Sequence, residues 1–162
     1  MTSHMETILS ILFFIFPFLA KYFYRPKLSV SITTKAKGTI DNVQDIYVKH
    51  NWDVFLNIFN KTEHAAILKN IKFSNESPKF KMEKFNVQIL IDVNNPFELK
   101  INYSSKSNYV DGKMPSQKLY PKEFDTLKVL ISYKNLKGRT FYTIYSFKNR
   151  KNSFCYKKPN LN

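Results

Sequence analysis

The chain of 162 residues has little glycine, cysteine or histidine, and these shortages exclude several kinds of site. Its three glycines are isolated, so no loop of the GxxxxGKS/T or GxGxxG type is present to hold a phosphate. Cys155 is the single cysteine and cannot form an intrachain disulfide, which is compatible with a reducing compartment. None of the three histidines lies in an HExxH or HxH pattern, or at a zinc-ligand spacing from Cys155.

Groups with catalytic potential are equally scarce. The neighbouring pairs His50/Asp53 and Glu63/His64 are interpreted as solvated residues at the ends of strands, because neither has a nucleophile beside it. Cys155 has no histidine or aspartate nearby that would activate it. We therefore expect no catalytic residue, no metal site and no cofactor, and hence a non-enzymatic protein.

Acidic residues are few as well, with 12 Asp and Glu against 26 Lys and Arg and a formal net charge of +14. Residues 1–26 hold two of the basic residues and one of the acidic ones, so 24 basic and 11 acidic residues follow them. The positive charge therefore belongs to the rest of the chain. This remainder of about 136 residues is large enough for one domain with a single core.

One long apolar run stands out at the start of the chain, from Thr7 to Tyr24. A membrane-crossing helix needs about 20 largely apolar residues, and this run reaches about 18 if Lys21 extends its ammonium into the headgroups. We predict an N-terminal segment over residues 1–6 and one uncleaved transmembrane helix over residues 7–24. The anchor residues are Leu9, Leu12, Phe13, Phe14, Phe16, Pro17, Phe18, Tyr22 and Tyr24.

Two alternatives compete with the anchor. A cleaved signal peptide has an apolar core of about 7 to 15 residues, which fits residues 8–20 in length. Against it, residues 1–6 carry no Lys or Arg, and Phe18 occupies a position that should be small at a cleavage site. The other alternative is a buried or interfacial helix.

The flanks of the apolar run predict its orientation. The short N-terminal side has no Lys or Arg, whereas the C-terminal side carries Lys21, Arg25, Lys27, Lys35 and Lys37. Because positive flanks stay on the cytoplasmic side, the domain is expected in the cytoplasm, attached to the inner membrane by a single pass.

Alternation of apolar and polar residues predicts about seven strands and no further helix. The predicted strands are Leu28–Thr33, Trp52–Phe59, Ala66–Phe73, Phe85–Val93, Phe97–Tyr103, Leu127–Tyr133 and Phe141–Phe147. A polar loop is expected over Gly38–Asp45, and a β-hairpin whose loop ends at Gly138, where a positive φ is needed. Short strands at regular spacing indicate an antiparallel sandwich or small barrel.

The segments RPKLSVSI, DVFLNIFNKTEHAAILKNIKF and ISYKNLKGRTFYTIYSF, after an apolar N-terminus, resemble small single-pass bacterial membrane proteins with an immunoglobulin-like cytoplasmic β-sandwich. The resemblance covers most of the chain at the level of strand pattern and implies no active residues. It implies an all-β fold, an antiparallel immunoglobulin-like sandwich over residues 27–150 behind one transmembrane helix, with a basic and aromatic tail over residues 151–162. Some such proteins resemble components of anti-phage systems.

Basic residues interleaved with aromatic ones form the main candidate site. Cations pair with phosphates and aromatic rings stack on bases, so these residues are candidate contacts to an anionic ligand or to lipid. They are Lys148, Arg150, Lys151, Tyr156, Lys157 and Lys158 near the C-terminus, and Lys79 and Lys81 in a second cluster. The plain alternative is that the aromatics face the core while the lysines keep the surface soluble.

The leading hypothesis is a membrane-anchored cytoplasmic module for recruitment, sensing or assembly at the bacterial inner membrane. Its expected partners are the lipid bilayer and a protein partner or further copies of itself, with a nucleotide or nucleic acid as a further option. One alternative is a membrane-disrupting effector, such as one of anti-phage defence, whose basic domain binds a nucleotide or protein. The other is an exported periplasmic β-domain.

Overall fold

The computed structural model describes residues 10–11, 13–17, 25–42, 47–74, 88–109, 111, 113 and 115–161. Residues 10, 11 and 13–17 are helical, and a short 3-10 helix covers Lys122–Thr126. The described strands are β1 (Leu28–Asn42), β2 (Tyr47–Asn60), β3 (Ala66–Phe73), β4 (Ile89–Ile91), β5 (Phe97–Asn108), β6 (Lys128–Asn135), β7 (Thr140–Ser146) and β8 (Lys151–Cys155).

The strands form two antiparallel sheets, in the orders β1-β2-β5 and β4-β3-β6-β7-β8. Each long strand turns one set of alternate residues inward, and burial along β2 alternates without a break over its 14 residues. Period-two alternation is what a strand with one buried face requires. The predicted all-β, antiparallel, sandwich-like fold is confirmed.

The core lies between the two sheets. Buried aliphatic residues of β1 and β2, such as Val30 and Leu56, belong to the same cluster as Ile131, Tyr133 and other residues of β6 and β7. The hydroxyl of Thr143 donates to the carbonyl oxygen of Leu28 at 2.8 Å and lies 3.2 Å from the hydroxyl of Tyr133. These contacts join β1 to the opposite sheet and satisfy polar atoms that would be costly to bury alone.

Residues 115–127 cover one end of the core. The indole N–H of Trp52 donates to the carbonyl oxygen of Lys118 at 3.1 Å. Phe124 of the 3-10 helix is fully buried between the rings of Tyr103 and Phe147, with centroids 5.4 and 5.3 Å away. At the opposite end, Leu28 pairs with Asn60 and Ala66 pairs with Asn135, and we call this the basal end.

Several strand bounds differ from the prediction. The bounds of β3 are as predicted, but β1 and β5 continue well beyond Thr33 and Tyr103. The loop predicted over Gly38–Asp45 is wrong for residues 38–42. A register shift between Ala36 and Gly38, whose φ is +145°, leaves Lys37 as the extra residue and lets β1 continue along β2. In the described part of the predicted strand Phe85–Val93, only Ile89–Ile91 are paired.

The C-terminal segment contains an unpredicted strand. Residues 151–155, which were assigned to a tail, form β8 and pair with Tyr142–Ser146 of β7. Eight strands are therefore described where about seven were predicted. The burial of β8 does not alternate cleanly, so its sequence carries no clear period-two signal.

The predicted anchor falls largely outside the described residues. This applies to Leu9, Leu12, Phe18, Tyr22 and Tyr24, whereas Phe13, Phe14, Phe16 and Pro17 are described as helical and exposed. Among the described residues, no helix combines the length and the apolar character that crossing a membrane requires.

Candidate anionic-ligand site

The two sheets differ in how their charges are balanced. The five strands of the larger sheet contain no Asp or Glu. Their basic residues are Lys69, Lys72, Lys128, Lys134 and Lys151. The three-stranded sheet has as many lysines, but also Asp41, Asp53 and Glu98. Unbalanced positive charge is therefore concentrated on the five-stranded sheet.

Asp53 shows how the smaller sheet compensates its lysines. Its carboxylate accepts a hydrogen bond from Lys100, with Nζ and Oδ2 2.9 Å apart, and Lys37 Nζ lies 3.9 Å from Oδ1. The hydrogen bond from Lys100 holds the pKa of Asp53 below its usual 3.8, and the charges of Lys100, Lys37 and Lys35 lower it further. None of the lysines of the larger sheet forms an ion pair with another described residue.

A β-bulge reshapes the outer face of the larger sheet. In β3, Leu68 pairs with Tyr133 and Asn70 pairs with Ser132, so Lys69 is the extra residue. Leu68 and Ile71 are both buried although they are three residues apart, which leaves Lys69 and Asn70 together on the outer face. Bulges of this kind redirect side chains and are frequent beside functional sites.

The bulge borders a groove of about 260 Å³ on the outer face of β3, β6 and β7. Ser132 pairs with both Asn70 and Tyr142, so these three residues form a polar row across the middle of the groove. Leu130 contributes an apolar wall. Among the described residues, four lysines and no acidic residue line the groove; the lysines are Lys69, Lys72, Lys134 and Lys158. We call this feature the lysine groove.

The C-terminal tail supplies one of these lysines and also contacts the start of the domain. The Arg25 guanidinium carbon lies 4.1 Å from the centroid of the Tyr156 ring, a cation–π contact. Tyr156 also meets Phe141 edge-on, with ring centroids 6.3 Å apart. Lys157 and Lys158 follow directly and are exposed. The residues after the apolar run and the basic tail therefore meet at the basal end.

The structure separates the C-terminal candidates into two groups. Lys148 and Arg150 lie in the exposed turn between β7 and β8, and Lys151 begins β8. Tyr156, Lys157 and Lys158 follow the other end of β8, roughly 15 Å away at about 3.3 Å per residue. Only Lys158 reaches the lysine groove. Lys79 and Lys81 lie outside the described residues.

Sequence reasoning missed most of the lysine groove. Lys69, Lys72, Lys134 and Tyr142 lie on strands that are neighbours in the sheet but distant along the chain. The one available signal was the spacing of Leu68 and Ile71, which breaks period-two alternation at Lys69.

A second and larger concavity, of about 560 Å³, lies beside the bulge at Gly38 on the three-stranded sheet. Lys37, Lys49, Asn51 and Asn102 are among the residues that line it. Its positive charge is partly neutralised, because Lys37 lies 3.9 Å from the Asp53 carboxylate. The lysine groove is therefore the stronger candidate for an anion.

The other candidates from the sequence, His50 and Cys155, lie outside the lysine groove. The interpretation of His50 as a solvated residue is wrong, because it is only 3% exposed, on the buried face of β2 beside Trp52. Its Nδ1 has no hydrogen-bond partner in the described part of the chain. No group of three or more potential metal ligands occurs among the described residues. Cys155 is a free, half-buried thiol.

Comparison with known proteins adds no assignment. The chain matches no model of a protein family and no curated protein, so its function has to be inferred from its fold, charge and geometry.

Proposed function

We propose that the chain is a non-enzymatic, membrane-anchored module whose immunoglobulin-like β-sandwich serves recruitment, sensing or assembly at the cytoplasmic face of a bacterial inner membrane. The contact between Arg25 and Tyr156 carries this proposal, because it holds the basic tail beside the residues that follow the apolar run. An anchored domain would then present that tail directly to the headgroups.

The order of strands supports the immunoglobulin-like assignment. In that fold, the first, second and fifth strands share one sheet and the third, sixth and seventh share the other. The chain follows this pattern, with β1, β2 and β5 in one sheet and β3, β6 and β7 in the other. β4 and β8 extend the second sheet at its two edges.

The described helical residues support the anchor. Phe13, Phe14 and Phe16 are 78%, 79% and 71% exposed, and Ile11 is also exposed. A helix that is apolar around its circumference needs lipid or protein around it. An anchor through residues 7–24 would provide that environment for each of these side chains.

The basal end has the composition of a surface that rests on anionic lipid. Its basic residues are Arg25, Lys27, Lys61, Lys134, Lys137, Arg139, Lys157 and Lys158, and its acidic residues are Glu63 and Asp92. Leu136, at the tip of the β6–β7 hairpin, is 70% exposed. Each basic residue close to an anionic bilayer adds about 1 kcal/mol of attraction, and an exposed leucine can insert between headgroups.

Topology mapping tests this proposal. Alkaline phosphatase and a green fluorescent protein are fused in turn after Asn162. Fluorescence without phosphatase activity is expected, and phosphatase activity would overturn the cytoplasmic placement and favour an exported domain.

Hydrogen exchange tests whether the basal end contacts lipid. Exchange of residues 135–139 in nanodiscs should slow when phosphatidylglycerol replaces part of the phosphatidylcholine. Equal exchange in both lipids would contradict docking of the basal end.

A membrane-disrupting effector is the second candidate, and the exposed phenylalanines favour it. In this case copies of the chain cluster in the membrane through Phe13, Phe14 and Phe16. Expression of the full chain should then arrest growth, and replacement of the three phenylalanines by leucine should relieve the arrest at equal membrane abundance. Growth arrest that persists in this variant would contradict clustering through these side chains.

A further inference from the structure

We infer that the lysine groove is a binding site for a compact ligand that carries two or more clustered phosphates. This inference rests on the outer face of the five-stranded sheet and not on an anchor, although two of its lysines, Lys134 and Lys158, also belong to the basal end. The groove has cationic side chains at its edges, hydrogen-bonding groups at its centre and an aromatic ring beside them.

The positions of the lysines define how negative charge must be distributed on a ligand that fits the groove. Lys72 pairs with Leu130 on one side of the polar row, and Lys134 pairs with Thr140 on the other. Since β3, β6 and β7 are adjacent, the groove spans about 10 Å across the strands and roughly 14 Å along them. Linked phosphates can span such a site and contact cations on both sides of the polar row at once, whereas a single phosphate does so only if lysines from both sides extend fully toward it.

The surroundings leave these cations available for an external anion. Neither the described lining residues nor the five strands include a carboxylate, and the four lysines form no ion pair with a described residue. On the three-stranded sheet, by contrast, Asp53 engages Lys37 and Lys100. Cations grouped without a counter-charge raise the local concentration of anions and bind phosphate oxygens by charge-assisted hydrogen bonds.

The centre of the groove suits the neutral part of such a ligand. Ser132 and Asn70 offer hydroxyl and amide groups for hydrogen bonds, and the half-buried Tyr142 offers a ring face or edge. A nucleoside di- or triphosphate combines clustered phosphates with a base that stacks on an aromatic ring. The small volume favours a ligand of this size over an extended nucleic acid strand.

Titration calorimetry on the full chain in neutral detergent tests the inference, with tripolyphosphate and adenosine triphosphate as probes. Both should bind with 1:1 stoichiometry, and inorganic phosphate should bind at least about tenfold more weakly. The double variant Lys69→Ala/Lys134→Ala should weaken tripolyphosphate binding by at least about tenfold. The variant Tyr142→Ala should weaken binding of the nucleotide more than binding of tripolyphosphate.

The matched control is Lys118→Ala/Lys122→Ala, which removes the same charge from two exposed residues outside the groove. Tripolyphosphate affinity should change less than about twofold in this variant. An equal loss in both double variants would overturn the inference, because the attraction would then arise from net charge. Absence of calorimetric binding by the wild-type chain, or tight binding restricted to a long oligonucleotide, would overturn it as well.

Nanodiscs distinguish a free ligand from a lipid headgroup as the source of the phosphates. Tripolyphosphate affinity that is the same in phosphatidylcholine discs and in discs containing a doubly phosphorylated lipid identifies a soluble ligand. Affinity that falls in the second discs, but not in phosphatidylglycerol discs of equal surface charge, identifies the headgroup as the occupant. Circular dichroism of every variant should match the wild type, so that loss of binding is not loss of folding.

Discussion

The side-chain amide of Asn152 bonds to both backbone polar groups of Val30. Its Oδ1 accepts from the Val30 N–H at 2.9 Å, and its Nδ2 donates to the Val30 carbonyl oxygen at 3.0 Å. Asn152 lies in β8, at the edge of the five-stranded sheet, and Val30 lies in β1, at the edge of the other. One amide thus replaces a pair of strand-to-strand hydrogen bonds and closes one side of the sandwich.

Replacement of Asn152 by alanine should lower the free energy of unfolding by about 1 to 3 kcal/mol, because two hydrogen bonds at a partly buried site are lost. Asn152→Asp should cost more, since its second oxygen would face the Val30 carbonyl oxygen. Denaturant unfolding followed by circular dichroism measures both. Asn95→Ala, at an exposed loop position, should change stability by less than about 0.5 kcal/mol. Equal stability of all three variants would rule out this closure.

Gly138 should tolerate asparagine better than alanine. Its φ is +81°, its N–H donates to the Asn135 carbonyl oxygen at 2.9 Å, and an added Cβ would meet no atom within 4 Å. The cost of Gly138→Ala is therefore conformational, about 1 kcal/mol, and Gly138→Asn should cost less because asparagine adopts positive φ more readily. Thermal unfolding of the two variants tests this ranking, and an alanine variant as stable as the wild type would contradict it.

Tyr103 should make the fold sensitive to alkali. Burial raises its pKa from 10.0 to about 12, and the charge of Glu123 adds to the shift. Between these two values the unfolded chain has lost the phenol proton and the folded chain has kept it, so stability falls as pH rises from 10 to 12. Below pH 10 the Tyr103 phenol does not change the stability of the fold.

Spectroscopic titration of the tyrosines should reveal a late-ionising group that disappears in Tyr103→Phe. The same variant should lose less stability than the wild type between pH 10 and 12. Tyr133 and Tyr145, whose pKa values burial also raises, would maintain part of the dependence. An unchanged slope in Tyr103→Phe would contradict the prediction.

Asp53 should make stability depend on pH in the acid range. Here stability falls as the pH is lowered, whereas Tyr103 makes it fall as the pH is raised. Because hydrogen bonding to Lys100 depresses its pKa below 3.8, its contribution is present above that pH. The contribution is lost as the pH falls through the lower folded-state value. Asp53→Asn should flatten the acid limb of the stability curve. Parallel acid limbs for wild type and Asp53→Asn would argue against this pairing.

Sequence alternation predicted the strands that bury one complete face, and the positive φ at Gly138 in the hairpin loop is confirmed. Prediction from alternation failed where strand pairing continues past a β-bulge, as it does next to Gly38 in β1. It also failed at β8, which is held by backbone pairing to β7 and by Asn152, and which buries no apolar face. Neither kind of contact leaves a periodic pattern in the sequence.

The candidate site was harder to predict than the fold. Lys134 and Lys158 are brought near Lys69 by sheet order and by the path of the tail, both of which are tertiary properties. An exposed lysine on a strand has the same local pattern whether it supports solubility or lines a groove. The bulge at Lys69, which turns two consecutive side chains to one face, distinguishes the two cases only in the folded molecule.

The strands of the two sheets differ in length, and this difference has an electrostatic consequence. β1 spans 15 residues, or roughly 45 Å, whereas β7 spans 7, or about 20 Å, so the long strands project far past the shorter sheet. Ionic screening at physiological salt acts over about 8 Å. The tip of this projection is therefore electrostatically insulated from any anion that docks where β1 begins.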